Sequence, residues 1–225
     1  MVMLETLKRY LGNGWVEADE TWTYASATTF TISGDKTGKY QKGDKIKLTQ
    51  TSVKYFYVIN VTYSSPNTTV TVTGGSDYSL ANATITSPYF SKIENPQGFP
   101  QWFQYSPTIS VSGGTAPSYS TNDCRFSITG KGVNVRIALS NSSGGTAGNG
   151  TGLLVISLPI TSPVNSSFLG VGIYYQATPS FAMIMARLSG TTNFYMQTYA
   201  LDNILGNNQA NANRFIYMNL QYPMD

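Results

Sequence analysis

The chain has 225 residues, with 14 basic and 11 acidic side chains and a formal net charge of +3, a balance too small to predict binding to nucleic acid. It contains no histidine, which excludes Ser-His-Asp hydrolysis, Cys-His proteolysis and histidine-ligated metal sites. The single cysteine, Cys124, excludes an internal disulfide and a thiolate metal cluster. So few charges favour a protein held in an assembly, because free monomers use charge to stay in solution. A secreted all-β domain rich in Ser, Thr and Asn is the alternative.

The N-terminal residues 1–14 predict a short amphipathic helix. Leu4, Leu7 and Leu11 follow the i, i+3, i+7 spacing of one helix face, with Tyr10 beside them. A helix of about ten residues is not stable alone, so we expect it to dock. It either closes the open end of its own barrel or anchors the chain to a partner, and in the second case these four side chains are the attachment surface.

No targeting signal is recognisable in the sequence. The first residues lack a basic segment followed by an apolar run, so no secretory signal peptide is predicted. No stretch approaches the ~18 apolar residues of a membrane span. We therefore expect a protein made in the cytoplasm, without a membrane partner.

Residues 15–92 predict a small β-barrel domain. The segment 45–50 alternates, with Ile46 and Leu48 on one face and Lys or Gln on the other. Segments 53–63 and 69–73, joined by a turn, form the clearest hairpin in the chain. About six short strands in about 80 residues are typical of a closed or nearly closed barrel.

Residues 93–122 predict a linker, because this stretch is rich in Pro, Gln and aromatic residues. The aromatic side chains Phe99, Trp102 and Phe103 indicate that the linker packs against folded structure and is not a flexible tether.

Residues 123–225 predict a C-terminal antiparallel β-sandwich, similar to a jelly roll. The prediction depends on seven strand-like segments separated by polar turns. They are 124–129, 132–140, 153–158, 168–176, 181–188, 193–200 and 214–221. The whole chain is thus predicted to be all-β apart from the short N-terminal helix.

Two of these strands are apolar at consecutive positions, at 181–186 and 215–218. Both faces of such a strand need cover, and only one face can meet the opposite sheet. We expect the other to meet further subunits in a homotrimer, through Met183, Met185, Phe215 and Met218.

Candidate chemistry is sparse. Glu17, Asp19 and Glu20 form the one acidic cluster; a glycosidase needs two such carboxylates, but a solvated loop is the favoured interpretation. Tyrosines near polar turns could stack on sugar rings, or be ordinary strand residues; the candidates are Tyr119, Tyr174 and Tyr195. No cofactor and no metal are predicted.

Several motifs of the second half follow one another in a characteristic order. They are Trp102 with 107–113 (Pro-Thr-Ile-Ser-Val-Ser-Gly), 116–119 (Ala-Pro-Ser-Tyr), 125–135 (Arg-Phe-Ser-Ile-Thr-Gly-Lys-Gly-Val-Asn-Val), 144–148 (Gly-Gly-Thr-Ala-Gly) and 156–159 (Ile-Ser-Leu-Pro). This order resembles the C-terminal β-sandwich domains of tailed-bacteriophage virion proteins. Segments 14–26, 42–50 and 63–72 look like the small barrel that precedes such domains.

The resemblance implies a non-enzymatic structural component of a virion: a head decoration protein, a head fibre or a neck or tail accessory protein. Its partners would be other capsid or tail proteins, with the N-terminal part attached to the particle and the sandwich projecting. The alternative is a receptor-binding or tail-fibre module that recognises a host surface glycan. The short chain favours the first, because it contains no heptads or collagen-like triplets that would form a fibre shaft.

Overall fold

The structure, a computed structural model, describes residues 12–119, 121–140, 148–163, 168–176, 180–198 and 214–224. The predicted all-β class is confirmed, since every regular element in these ranges is a strand. The helix predicted around Leu4 and Leu11 lies outside the described residues. None of the described segments forms a helix that could cross a membrane.

The chain divides into two compact units. The first contains Met1–Phe103 and Ile128–Lys131, and the second contains Gln104–Ser127 and Gly132–Asp225. The boundary therefore falls inside the predicted linker 93–122, whose two halves belong to different units.

The first unit contains one antiparallel sheet of seven strands. They are β1 (Val16–Glu17), β2 (Thr23–Ser26), β3 (Thr29–Ser33), β4 (Lys45–Thr49), β5 (Val53–Ser64), β6 (Asn67–Thr73) and β7 (Thr86–Ser91). Their order across the sheet is β1-β7-β4-β5-β6-β3-β2.

The sheet of the first unit curls into a half-barrel. Its edge strands β1 and β2 are separated in sequence only by residues 18–22. A flat sheet of seven strands would hold its edges nearly ~30 Å apart, whereas six peptide steps reach about 21 Å. The curled sheet encloses a core of buried apolar residues that includes Trp22, Phe30, Ile46 and Phe56.

The outer face of this half-barrel is covered by its own chain. Tyr55 and Tyr57 alternate along β5 with the core residue Phe56 and so point outward. The Phe99 ring packs on both tyrosines, with centroid distances of 6.0 and 4.9 Å. Trp15 donates its indole N–H to the Gln97 carbonyl oxygen at 2.8 Å. The first half of the predicted linker is therefore packed, although Trp102 is exposed.

The second sheet has ten strands. They are β8 (Phe103–Gln104), β9 (Ile109–Ser110), β10 (Thr121–Asn122), β11 (Arg125–Thr129), β12 (Gly132–Ser140), β13 (Val155–Ser157), β14 (Phe168–Gln176), β15 (Ser180–Ser189), β16 (Asn193–Thr198) and β17 (Arg214–Pro223). Nine of them follow the order β8-β11-β12-β17-β14-β15-β16-β13-β9, and β10 pairs with β12.

The predicted sandwich-like arrangement is built from this one continuous sheet. Its edge strands β8 and β9 are joined by only residues 105–108. Five peptide steps span about 18 Å, less than half of the ~38 Å that eight flat strand spacings require. The joining segment bonds to both sides: the Tyr105 N–H donates to the Cys124 carbonyl, and the Ser157 N–H to the Thr108 carbonyl. The sheet therefore folds back until its edges approach each other.

Candidate functional site

Three adjacent strands of the second unit present an apolar surface that no described residue covers. Strand β14 lies between β15 and β17, and side chains alternate between the two faces of each strand. Tyr174, Ile184 and Met218 point inward and are buried. The residues between them point outward, and we call their surface the outer face. It is formed by Val171, Ile173, Tyr175, Met183, Met185, Phe215 and Tyr217.

The strand register places the apolar side chains of the outer face side by side. Ile173 lies opposite Met183 on one neighbouring strand and opposite Tyr217 on the other. In the next row Val171 lies between Met185 and Asn219. Directly opposed side chains in a sheet are in contact distance, so the outer face is continuous across all three strands.

Four side chains of the outer face are highly accessible. Met183 is 67% exposed, Val171 53%, Ile173 50% and Tyr217 49%. An open groove of about 510 Å³ runs between them and is bordered by Arg136 and Asn219. Single exposed apolar residues are common on proteins, whereas contiguous groups of them are often functional.

Charge is confined to the margin of this surface. Arg136 is the charged residue that borders the groove, and it lies on β12, one strand beyond Tyr217. It forms no ion pair with any residue that the structure describes. The centre of the outer face is therefore apolar, and a partner can cover it without burying an ionised group.

The close approach of β14 to β17 has a local cause. Gly170 and Gly172 occupy inward positions of β14, where a Cβ atom would lie 2.0 Å from the Asn219 carbonyl oxygen and 2.2 Å from that of Tyr217. Any larger residue at either position would push the two strands apart. These glycines leave Val171 and Ile173, both outward, as the prominent side chains of this stretch.

The predicted subunit interface is partly corrected. Met183, Met185 and Phe215 lie on the outer face, but Met218 is only 2% exposed and packs in the core of the second unit. The prediction assigned Phe215 and Met218 to the same interface, whereas alternation along a strand places residues three positions apart on opposite faces.

The tyrosines predicted to contact glycans are also separated. Tyr174 is 3% exposed and points into the core, so it is not accessible to a sugar, and this assignment is wrong. Tyr195 alternates with the buried residues Phe194 and Met196 and points outward, half-buried. Tyr119 is half-buried in the segment before β10. Leu4, Leu7, Tyr10 and Leu11, the predicted attachment residues, lie outside the described part of the chain.

The acidic cluster of the first unit contains a structural carboxylate. Glu20 accepts a hydrogen bond from the Tyr40 hydroxyl at 2.8 Å and pairs with Lys39 at 3.0 Å and Lys36 at 3.3 Å. Burial disfavours ionisation of Glu20, but these three donors outweigh it, and the pKa of Glu20 lies below its usual value. Glu20 is therefore ionised at neutral pH, as a counterion for two lysines.

The cysteine is not an activated nucleophile. Cys124 is fully buried, and burial raises its pKa to about 11. The thiolate is the reactive form, so at neutral pH Cys124 is a buried thiol that packs like a small apolar residue.

Comparison with protein family models, with curated proteins and with solved structures finds no match for this chain.

Proposed function

We propose that this protein is a non-enzymatic structural component of a tailed-bacteriophage virion, such as a head decoration, head fibre or neck or tail accessory protein. The observation that carries the assembly role is the outer face, because a protein that acted alone would expose a large apolar surface to water. The virion context is supported by the resemblance of the motifs between Trp102 and Pro159 to phage β-sandwich domains.

The proposal assigns different roles to the two parts of the chain. The N-terminal part attaches to other virion proteins through Leu4, Leu7, Tyr10 and Leu11, which the sequence places on one helical face. The C-terminal domain, a jelly-roll-like sandwich, projects from the particle and associates as a homotrimer. The charge distribution supports this division, since 17 of the 25 charged residues fall within 1–105.

The chemistry of the side chains supports a role without catalysis. Acid–base and nucleophilic catalysis use groups whose pKa lies near the working pH. The chain has no histidine, burial raises the pKa of Cys124 to about 11, and Glu20 is held in ion pairs.

The test is incorporation into particles. We expect purified virions to contain the chain at a fixed copy number, located by electron microscopy with a label fused at the C-terminus. A variant lacking residues 1–14 should stay folded, as measured by circular dichroism, but be absent from particles. Particles that never contain the full-length chain would refute the virion role, and incorporation of the truncated chain would refute the N-terminal attachment.

The alternative role as a glycan-binding receptor module loses one of its candidate contacts, because Tyr174 is buried. Tight and specific binding of the full-length protein to a glycan array, abolished by Tyr195→Ala, would favour this alternative.

A further inference from the structure

We infer that the outer face of β14, β15 and β17 is the contact surface between copies of this chain, with the Ile173–Met183–Tyr217 row at its centre. The inference rests on the proposed function and deepens it by naming the partner and the residues of the contact. Three features support it: the size of the apolar surface, the position of Arg136 at its margin, and the need to cover every copy.

The apolar surface is large enough to nucleate an interface. A fully exposed large side chain presents on the order of 150–200 Å², so the exposed fractions of Val171, Ile173, Met183 and Tyr217 amount to roughly 400 Å². The half-buried neighbours Met185 and Phe215 extend this surface. Each partner of a stable complex buries ~800 Å², so the four exposed side chains supply about half of such a contact.

The charge distribution fits a contact between identical surfaces. Around a threefold axis, residues close to the axis lie beside their own copies, so a charge at the centre of the face would lie near two like charges. The outer face avoids this conflict, since the row of Ile173 carries no ionised group and Arg136 lies on β12, opposite Asn219 and at the margin. At the rim, the guanidinium group of Arg136 stays in contact with water, so association requires little desolvation free energy.

The need for permanent cover favours a second copy over a different protein. Every molecule presents the same apolar face, so an equal number of partner surfaces is required to cover all of them. A second copy of the chain is always present in that ratio. Three copies whose outer faces turn toward a common threefold axis cover all three faces in one shared core.

Met183 is the side chain best suited to fill the space between the sheets. It is the most exposed large apolar residue among those described, and it borders the groove. Methionine is unbranched and flexible, so it adapts to irregular gaps. Aromatic and methionine side chains at the centre of an interface contribute most of its binding free energy.

The experiment measures the mass of the purified full-length protein by light scattering after size-exclusion chromatography, over a range of micromolar concentrations. We expect a trimer for the wild type and a monomer for Met183→Asp and Ile173→Asp, because a carboxylate would be buried at the contact. The dissociation constant should rise by roughly 100-fold or more.

Two matched controls isolate the outer face. Val53→Asp adds the same charge at an exposed valine of the first unit, and Met183→Leu keeps the apolar contact; both should remain trimeric. Circular dichroism should show native folding for all variants. If an Asp variant unfolds, Tyr217→Ser replaces it, since this exposed residue tolerates a polar substitution in the monomer.

A stable wild-type monomer would overturn the inference, as would an oligomer that Met183→Asp and Ile173→Asp leave intact. A trimer that dissociates as expected, but belongs to a protein absent from virions, would support the contact surface and refute only the proposed function.

Discussion

The two units of this chain each contain a curled antiparallel sheet, but they treat its outer face differently. In the first unit, the residues of the predicted linker fold back over β5, and Phe99 and Gln97 cover Tyr55, Tyr57 and Trp15. In the second unit, the corresponding side of β14, β15 and β17 stays open, with Met183 and Ile173 half exposed or more.

This difference shows how one physical requirement can be met in two ways. A sheet with apolar residues on both faces needs a layer on each side. The first unit obtains a second layer over β5 from the same chain. The second unit has no such layer among the described residues, and we propose that neighbouring copies supply it.

The largest effect is expected from removing an aromatic side chain that lies beneath the cover of the first unit. Trp15 is 3% exposed, packs against Tyr55 and Phe99, and lies 4.9 Å from the Lys47 ammonium group. Trp15→Ala should lower the free energy of unfolding by about 3–5 kcal/mol, because it leaves a cavity and an unsatisfied Gln97 carbonyl. Urea unfolding followed by circular dichroism measures this change.

The control for that substitution is the exposed tryptophan of the predicted linker. Trp102 is 42% exposed, so Trp102→Ala should change the free energy of unfolding by less than about 0.5 kcal/mol. Equal effects at the two positions would mean that the linker does not cover the half-barrel.

A second prediction compares the two faces of the second unit. Met218→Ala should destabilise the folded domain by about 2–5 kcal/mol, since Met218 is 2% exposed. Met183→Ala should change the stability of the dilute monomer by less than about 0.5 kcal/mol and weaken only the association. Urea unfolding at low protein concentration separates the two effects, and a large loss of monomer stability for Met183→Ala would place this residue in the core.

A smaller and pH-dependent effect is expected at Glu20. Its pKa is below the ordinary value of 4.5 in the folded chain, so the unfolded chain binds the proton more readily. The stabilisation by Glu20 is therefore complete when the pH lies above the ordinary pKa of the unfolded chain. It is lost as the pH falls through the lower pKa of the folded chain. Glu20→Ala should cost about 1–3 kcal/mol at pH 7, because the buried Tyr40 hydroxyl loses its acceptor.

Melting curves of the wild type and of Glu20→Ala between pH 2 and 7 provide the measurement. The difference in melting temperature between the two proteins should shrink as the pH falls below about 4. A difference that is constant over this range would assign the loss to packing and not to the ionised carboxylate.

Most strands of the fold could be predicted from the sequence. Alternation and β-branched residues predicted every strand of five or more residues, including the hairpin of β5 and β6 and the apolar β15 and β17. The two-residue strands β1, β8, β9 and β10 were missed, because two residues carry no periodicity. These short strands are placed by tertiary closure of the sheets and not by local preference.

The candidate site was predicted only in part. Apolar runs identified Met183, Met185 and Phe215, but a run of consecutive apolar residues does not tell which face of a strand is covered. Val171 and Ile173 were overlooked, although their alternation with Gly170 and Gly172 is a readable signal. Arg136 and Asn219 come together only through the register of β12 and β17, which depends on contacts distant in sequence.

The short edge strands have a consequence for how copies of this chain can combine. Both sheets end on strands of two to four residues, β1 and β2 in one, β8 and β9 in the other. A long edge strand has many unpaired backbone N–H and C=O groups, and further strands can add to it without limit, as in fibrils. The short edge strands of this chain have few such groups. Growth by strand addition is thereby suppressed, and in the trimer that we propose, association through the outer face ends once the threefold symmetry is closed.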